Sequence, residues 1–215
     1  MIKIYKDIDP IEKPVIIDIG CSNGNESLRL MEAFPDFTQI ISVDPFTECI
    51  DNVKEKIESR NLSYKWSYDC CAIDNNAGEI EVAYGIAAEL NLPSCGLPME
   101  SIGNLPSSSA SNRVVKTKRI QDIHKTPTVL KIDIEGYEWF IWEQIFNIES
   151  VKIIFMELHG NRTINFDEKI KYAKDKGYSI KAYKHTPVSE ETTFYIDIGS
   201  YECSVGNYCQ ATFQR

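Results

Sequence analysis

The fold is decided by residues 15–24, VIIDIGCSNG, in which a run of apolar residues leads into a glycine-containing turn. Val15–Ile19 is apolar at all but one position, as expected of a central strand that is buried on both faces of a sheet. Gly20 and Gly24 allow a sharp turn and let a ligand approach the backbone closely. The apolar spacing that follows predicts a helix ended by Pro35. The segment is therefore typical of a strand, a ligand-binding turn and a helix.

Further strands and helices alternate along the chain, and this alternation predicts a mostly parallel sheet. We expect ligands to bind beyond the carboxyl ends of its strands. The expected strands are Ile40–Val43, Tyr64–Ile73, Thr128–Ile134 and Val151–Leu158, with added strands at Glu79–Tyr84 and Val114–Arg119 and an edge pair at Ser179–Lys184 and Thr192–Ile198. The expected helices begin with Thr47 as a cap, follow Tyr137, Ile141 and Ile145, and open at a capping box of Asn165 and Glu168.

The length of the chain is that of one domain. Its 215 residues predict a single α/β domain over 1–215, with a lead-in at 1–13. Residues 91–112 are rich in Ser, Pro and Gly, and we interpret them as a long mobile loop of the kind that often has a function. We expect this loop to act as a lid.

Charge and composition exclude several classes of function. With 23 Lys and Arg against 32 Asp and Glu, the chain carries a net charge of −9, which disfavours nucleic acid as a partner. The sequence shows neither an apolar run long enough to span a membrane nor the apolar core of a signal peptide. Seven cysteines without a Cys-x-x-Cys pair suit a reducing compartment. We therefore expect a cytoplasmic protein, whose oligomeric state the sequence leaves open.

The turn at Gly20 favours S-adenosylmethionine over a nicotinamide dinucleotide. A dinucleotide fingerprint requires a second glycine where this chain has Ser22 and a third glycine where it has Asn25. Asp18 would crowd a pyrophosphate but would attract an ammonium group. Asp44 ends the next strand, where a carboxylate can accept the hydroxyls of a ribose. An ordinary strand-to-helix turn without a ligand is the alternative.

Ionisable residues end two later strands. Asp133 and Glu135 follow the strand that contains Lys131, and we expect both in the site because of their position at a strand end. His159 is a candidate general base, with Asp133 as the second candidate. Glu157 would orient His159 or bind the acceptor. The spacing of Asp133, Glu157 and His159 does not indicate a metal, and we predict none; a solvated loop histidine is the alternative reading of His159.

Five stretches of the chain resemble one family of enzymes. They are IDIGCSNG (17–24), SVDP (42–45), CCAIDNNAGEIEV (70–82), LKIDIEGYEWFIWE (130–143) and MELHG (156–160). In order and spacing the chain resembles the FkbM-type family of S-adenosylmethionine-dependent methyltransferases. The resemblance implies the Rossmann-like class I methyltransferase fold, with seven strands of which the last is antiparallel, helices on both faces and here a small β insertion.

The resemblance also implies an activity and a set of site residues. The implied activity is O-methylation of a hydroxyl on a small molecule, with a sugar or another natural-product or glycan building block as the expected acceptor. Glu135 would bind acceptor hydroxyls or brace the loop. The residues implied for S-adenosyl-L-methionine are Asp18, Gly20, Ser22 and Gly24 at its methionine end, Asp44 at the ribose, Cys71 and Ala72 at the adenine, and Asp133 at the transferred methyl group. A non-catalytic cofactor- or partner-binding domain and a nucleotide-dependent oxidoreductase are the alternatives.

Overall fold

A large sheet and a small sheet organise the chain. The structure is a computed structural model that describes residues 8–87, 92–96, 111–159, 164–184, 194–196 and 208–215. In chain order the strands are β1 (Val15–Ile19), β2 (Gln39–Val43), β3 (Trp66–Asp69), β4 (Ala72–Ile73), β5 (Gly78–Ala87), β6 (Leu92–Gly96), β7 (Ser111–Lys118), β8 (Val129–Ile132), β9 (Ile153–His159), β10 (Ser179–Lys184), β11 (Phe194–Ile196) and β12 (Tyr208–Gln214). The helices are α1 (Asn25–Ala33), α2 (Thr47–Ser59), α3 (Ile120–Ile123), α4 (Trp142–Phe146) and α5 (Phe166–Asp175), with short 3₁₀ turns at Ser63–Lys65 and Tyr137–Trp139.

The large sheet has the predicted arrangement. Its order within the described residues is β3-β2-β1-β8-β9-β12-β10-β11. The strands from β3 to β9 pair in parallel, and β12 runs antiparallel between β9 and β10. This confirms a mostly parallel seven-stranded sheet with a reversed last strand. The strand β11 is an eighth, and its antiparallel pairing with β10 confirms the edge pair expected from the sequence.

Helices cover both faces of the large sheet, as the fold class requires. In β1, Ile16 packs into a cluster with apolar residues of α1 and α2. Ile17 and Ile19 pack into a second cluster, which contains Trp142 of α4 and Ile170 of α5. Successive residues of a strand point to opposite faces, so the uninterrupted apolar run of β1 is explained by burial on both sides.

The predicted strand Tyr64–Ile73 is wrong as a single element. Ser63–Lys65 is a 3₁₀ turn, β3 belongs to the large sheet, and β4 belongs to the small sheet, where it pairs with β7. Strand-favouring residues continue through the whole segment, so the sequence pattern does not show where the chain leaves the large sheet and joins the small sheet.

The predicted loop at 91–112 contains a strand that the prediction missed. The small sheet has the order β4-β7-β5-β6, and β6 lies inside that segment, at the edge of the sheet. Pro93 was interpreted as a loop residue, but proline is also tolerated in edge strands such as β6. Residues 97–110 lie outside the described residues, so the prediction that this stretch is mobile concerns a part of the chain that the structure does not describe. The small sheet is the predicted β insertion.

Two helix starts and the chain end also need correction. Thr47 is the first residue of α2, and the cap position is held by Phe46 without a side-chain hydrogen bond. The helix expected from Tyr137 onward is a 3₁₀ turn followed by the short α4. The prediction at Asn165 is confirmed, since its side chain accepts a hydrogen bond from the Glu168 N–H.

The strand β12 was not predicted at all. Within the described residues, no helix is both long and apolar enough to cross a bilayer.

Replacing Phe213 with alanine tests the central position of β12. Phe213 is fully buried, and its ring centroid lies 5.7 Å from that of Trp142 and 5.0 Å from that of Phe146. We expect Phe213→Ala to lower the free energy of unfolding in urea by about 3–5 kcal/mol. Tyr64→Ala, at a side chain that is 78% exposed, should change it by no more than about 0.5 kcal/mol. Equal effects of the two substitutions would contradict the placement of β12.

Candidate active site

A cleft of about 310 Å³ opens beyond the carboxyl ends of the central strands. The loop that follows β1 forms one wall, and Glu26 and Arg29 of α1 extend it. The opposite wall consists of the ends of β8 and β9, together with Gln210 of β12. The cleft therefore lies where open α/β sheets bind their ligands.

The loop after β1 packs directly against the end of β8. Gly20 has a φ of 74°, and a Cβ built on it would lie 1.8 Å from the carbonyl oxygen of Asp133. The N–H groups of Gly20 and Cys21 both donate to the carbonyl oxygen of Val43, at 2.9 and 3.2 Å. Ser22 has a φ of 45°, a left-handed conformation that is costly for a residue with a side chain. Gly20 is therefore required by its backbone contacts, as the sequence predicted.

A buried ion pair holds this loop from below. The Lys131 Nζ atom donates a 2.8 Å hydrogen bond to the carbonyl oxygen of Gly20 and lies 3.3 Å from Asp18 Oδ1 and 3.8 Å from Asp133 Oδ2. The other oxygen of Asp18 accepts a 2.5 Å hydrogen bond from Ser27 of α1. Burial acts to lower the pKa of Lys131, but the Asp18 and Asp133 carboxylates raise it above its usual value. The ammonium group is therefore charged.

Asp18 lies beneath the cleft, in a different place from the one the sequence predicted. It is fully buried and is not among the residues that line the cleft. Its partners are Lys131 and Ser27, so it positions the loop, whereas we had expected it at the ammonium group of a ligand. From the sequence, Lys131 was assigned to the strand before Asp133, and its pairing with Asp18 on the neighbouring strand was missed.

Asp44 links the loops that follow β1 and β2. Its two carboxylate oxygens accept hydrogen bonds from the N–H groups of Ser22 and Phe46, both at 3.1 Å. Burial raises the pKa of Asp44 to about 6, although these two hydrogen bonds act to lower it. Each carboxylate oxygen can accept more than one hydrogen bond, so the predicted contact with a ribose stays open to Asp44.

Of the predicted site residues, only some line the described cleft. Gly20, Ser22, Asp133 and Glu157 do so. Gly24 instead packs on α2, where a Cβ would lie 3.0 Å from the Val53 side chain. The predicted site residues that do not line the cleft, besides Gly24, are Asp18, Asp44, Cys71, Ala72, Glu135 and His159. Cys71 is buried, and burial together with Asp69 raises its pKa to about 12.

His159 is fixed by Glu138, a residue that the sequence analysis did not include in the site. Glu138 is fully buried and accepts hydrogen bonds from His159 Nδ1 at 2.9 Å, His159 N at 2.8 Å and Gly136 N at 3.0 Å. Burial alone would lower the pKa of His159, but the hydrogen bond and the charge of Glu138 raise it to about 10. The raised pKa favours the protonated ring at neutral pH, which argues against the role of general base that we expected for His159.

Carboxylates crowd around the Nε2 edge of this ring. His159 Nε2 lies 3.5 Å from Glu135 Oε2 and 3.8 Å from Glu157 Oε1. Burial, with a further contribution from Asp133, raises the pKa of Glu157 to about 7. Glu135 adopts a left-handed backbone with a φ of 55°, and burial raises its pKa as well. The arrangement can hold a cationic ligand, and one carboxyl group can take up a proton near neutrality.

Three of these side chains also approach closely enough to share one ion. Asp133, Glu135 and His159 each place a potential ligand atom within 4.8 Å of the other two. The set of possible metal ligands named from the sequence was Asp133, Glu157 and His159, whose spacing did not indicate a metal. An ion here would have to displace the proton of the His159 ring. The absence of a metal from the reaction stays a prediction.

The sequence of the chain matches a known family model. The model for the methyltransferase FkbM domain matches residues 18–180, which includes the loop, the ion pair and the carboxylates. The chain belongs to the FkbM methyltransferase family. Among curated proteins, none matches this FkbM-family chain.

Solved structures of low sequence identity share its fold. The methyltransferase FkbM from Methylobacillus flagellatus KT aligns with a TM-score of 0.58 and 16% identity over 97% of this chain and 45% of that one. The precorrin-6y C5,15-methyltransferase from Geobacter metallireducens GS-15 aligns with a TM-score of 0.52 and 10% identity over 98% and 84% of the two chains. The FkbM-family chain therefore spans less than half the length of the Methylobacillus protein, and these likenesses show the fold alone.

Removing the buried ammonium group tests the ion pair beneath the loop. Lys131→Met leaves Asp18 buried without its counter-charge, and we expect the free energy of unfolding to fall by about 3–5 kcal/mol in urea denaturation. Adding Asp18→Asn should recover part of that loss, because the uncompensated charge is then gone. Lys152→Met, at an exposed lysine, is the matched control. An equal loss in Lys131→Met and Lys152→Met would show that the pair does not stabilise the fold.

Replacing Glu138 tests the charge state of His159. Since the pKa of His159 is raised from 6.5 to about 10, its contribution to stability is complete below pH 6.5 and is lost as the pH rises through 10. Glu138→Gln should lower the His159 pKa, measured by NMR, and should flatten the decrease of the unfolding free energy between pH 6.5 and 10. Glu143→Gln, at an exposed position, should change neither quantity. A His159 pKa near 6.5 in the native protein would refute the imidazolium assignment.

Proposed function

We propose that the chain is an S-adenosylmethionine-dependent O-methyltransferase that acts on a hydroxyl group of a small molecule. The expected acceptor is a sugar or another natural-product or glycan building block. The observation that carries the proposal is the packing of Gly20 on Asp133, with a distance of 1.8 Å from a built Cβ to the Asp133 oxygen. Because of this packing, the loop that follows β1 and the carboxylates at the strand ends form two walls of one cleft.

The residues present suit this cofactor. Gly20 and Ser22 supply backbone that a ligand can approach, and the Asp44 carboxylate is available to a ribose. Asp133 and Glu157 give the cleft carboxyl groups that favour an ammonium and a sulfonium group over a pyrophosphate. When bound, S-adenosylmethionine supplies an activated methyl group. The chain's share is then to position the acceptor hydroxyl in line with that group, which contributes up to ~7–11 kcal/mol in well-oriented reactions.

Proton removal falls to a carboxylate of the cleft. His159 is already protonated at neutral pH, whereas Asp133 and Glu157 both line the cleft. As the bond between the acceptor oxygen and the methyl carbon forms and the bond between that carbon and sulfur breaks, one of the two carboxylates takes the hydroxyl proton. General-base assistance of this kind contributes about 10²–10⁴-fold to the rate. His159, held by Glu138, keeps Glu135 and Glu157 in place.

Calorimetric titration with S-adenosylmethionine, S-adenosylhomocysteine and NAD tests the proposal. We expect micromolar binding of the first two ligands and none of NAD. Asp44→Ala should weaken binding of both by about 5- to 150-fold, which corresponds to the loss of ~1–3 kcal/mol from an unpaired polar group. Asp51→Ala, at an exposed aspartate of α2, is the control for the loss of one negative charge. Binding of NAD alone would favour an oxidoreductase, and unchanged affinity in Asp44→Ala would remove its role at the ribose.

A further inference from the structure

Gln210 is a buried polar side chain that the proposed reaction has not used so far. It lies on β12, a strand that the sequence analysis did not predict, and it lines the cleft. Only 8% of its surface is exposed. A polar side chain that lines a cleft can form a hydrogen bond with a bound ligand and so fix the orientation of that ligand.

Gln210 and Glu157 form a pair on neighbouring strands. They are direct partners in the antiparallel register of β12 and β9, so their side chains leave the sheet on the same face. Both line the cleft, together with Asp133 at the end of β8. A carboxyl group that accepts hydrogen bonds thus lies beside an amide that both donates and accepts them. This combination matches the donor and acceptor capacity of a hydroxyl group.

The charges around the pair set the kind of molecule that fits. Within the described residues that line the cleft, the two cations already have carboxylate partners: Lys131 pairs with Asp18 and Arg29 pairs with Glu26. Asp133 and Glu157 add further carboxyl groups, and Glu135 lies close by. An anionic group in this part of the cleft would meet like charges in a partly desolvated setting, where repulsion is strong.

We propose that Glu157 and Gln210 form the acceptor subsite of the cleft, and that this subsite admits neutral or cationic hydroxyl compounds and rejects anionic ones. The inference rests on the proposed function, because it assigns the acceptor side of the same cleft. In this subsite Glu157 accepts a hydrogen bond from the acceptor hydroxyl, and Gln210 holds either that oxygen or a neighbouring hydroxyl. Gln210 is accordingly a specificity-determining residue.

Ligand-observed NMR on protein saturated with S-adenosylhomocysteine tests the subsite without requiring turnover. The probes are methyl α-D-glucopyranoside, the methyl glycoside of glucosamine and the methyl glycoside of glucuronic acid, which share a ring and differ in charge. We expect the first two to bind and the glucuronide to bind at least about tenfold more weakly. Equal binding of all three, or binding of none, would overturn the proposal.

Two substitutions separate the roles of the pair. Gln210→Met keeps the length of the side chain and removes the amide, and we expect at least about fivefold weaker binding of the neutral glycoside. Gln121→Met, at an exposed glutamine of α3, should leave that binding unchanged. Glu157→Gln removes the partial negative charge that Glu157 carries at neutral pH and should bring binding of the glucuronide closer to that of the neutral glycoside. Unchanged binding of the neutral glycoside in Gln210→Met, or unchanged discrimination in Glu157→Gln, would contradict the assignment.

S-adenosylhomocysteine affinity, measured by calorimetry for each variant, separates the two levels of the proposal. If S-adenosylhomocysteine binds and the glycosides do not, the acceptor subsite is wrong and the cofactor proposal stands. If S-adenosylhomocysteine itself does not bind to the native protein, the proposed function fails, and glycoside binding to the ligand-free protein still decides the subsite. If Gln210→Met alone fails to fold, the result with Glu157→Gln decides.

Discussion

The buried ammonium group of Lys131 is the interaction on which the rest of the site depends. It joins β8 to the carbonyl oxygen of Gly20 and to Asp18 on β1, and it lies within 3.8 Å of Asp133. Burying charges is costly unless they are paired and hydrogen-bonded. Here the pair fixes the height of the loop over the strand ends, and Gly20 then packs on Asp133 without space for a side chain. The width of the cleft follows from these contacts.

A second buried pair, His159 with Glu138, plays the same part on the other wall. Each cation contacts more than one carboxylate: Lys131 lies near Asp18 and Asp133, and His159 lies near Glu138, Glu135 and Glu157, so the carboxyl groups outnumber these two cations. The surplus of carboxyl groups has two consequences. In our proposals, it favours a cationic methyl donor over a dinucleotide and disfavours anionic acceptors. Because the chain belongs to a methyltransferase family by its sequence, the chemistry of the cleft and the family assignment point in the same direction.

Local sequence patterns were sufficient for the parallel core of the fold and insufficient for features that depend on distant partners. The strands β1 and β8 are buried on both faces of the sheet, so their sequences are largely apolar and predicted them as central strands. The strand β12 was missed although Cys209, Ala211 and Phe213 alternate with polar residues, and its place between β9 and β10 is set by pairing with distant strands. Gln210 was missed with it. Glu138 was not included in the predicted site, and only the contact with β9 shows that it holds His159.

A crystal structure of the protein with bound S-adenosylhomocysteine tests the central claim most directly. The account predicts electron density for the amino-acid end of the ligand between the loop 20–25 and Asp133, and for its ribose at Asp44. Lys131 should keep its contacts with Gly20 and Asp18, because the loop is already positioned before the ligand binds. Density elsewhere on the protein, or a loop that leaves Lys131 when the ligand binds, would contradict the account.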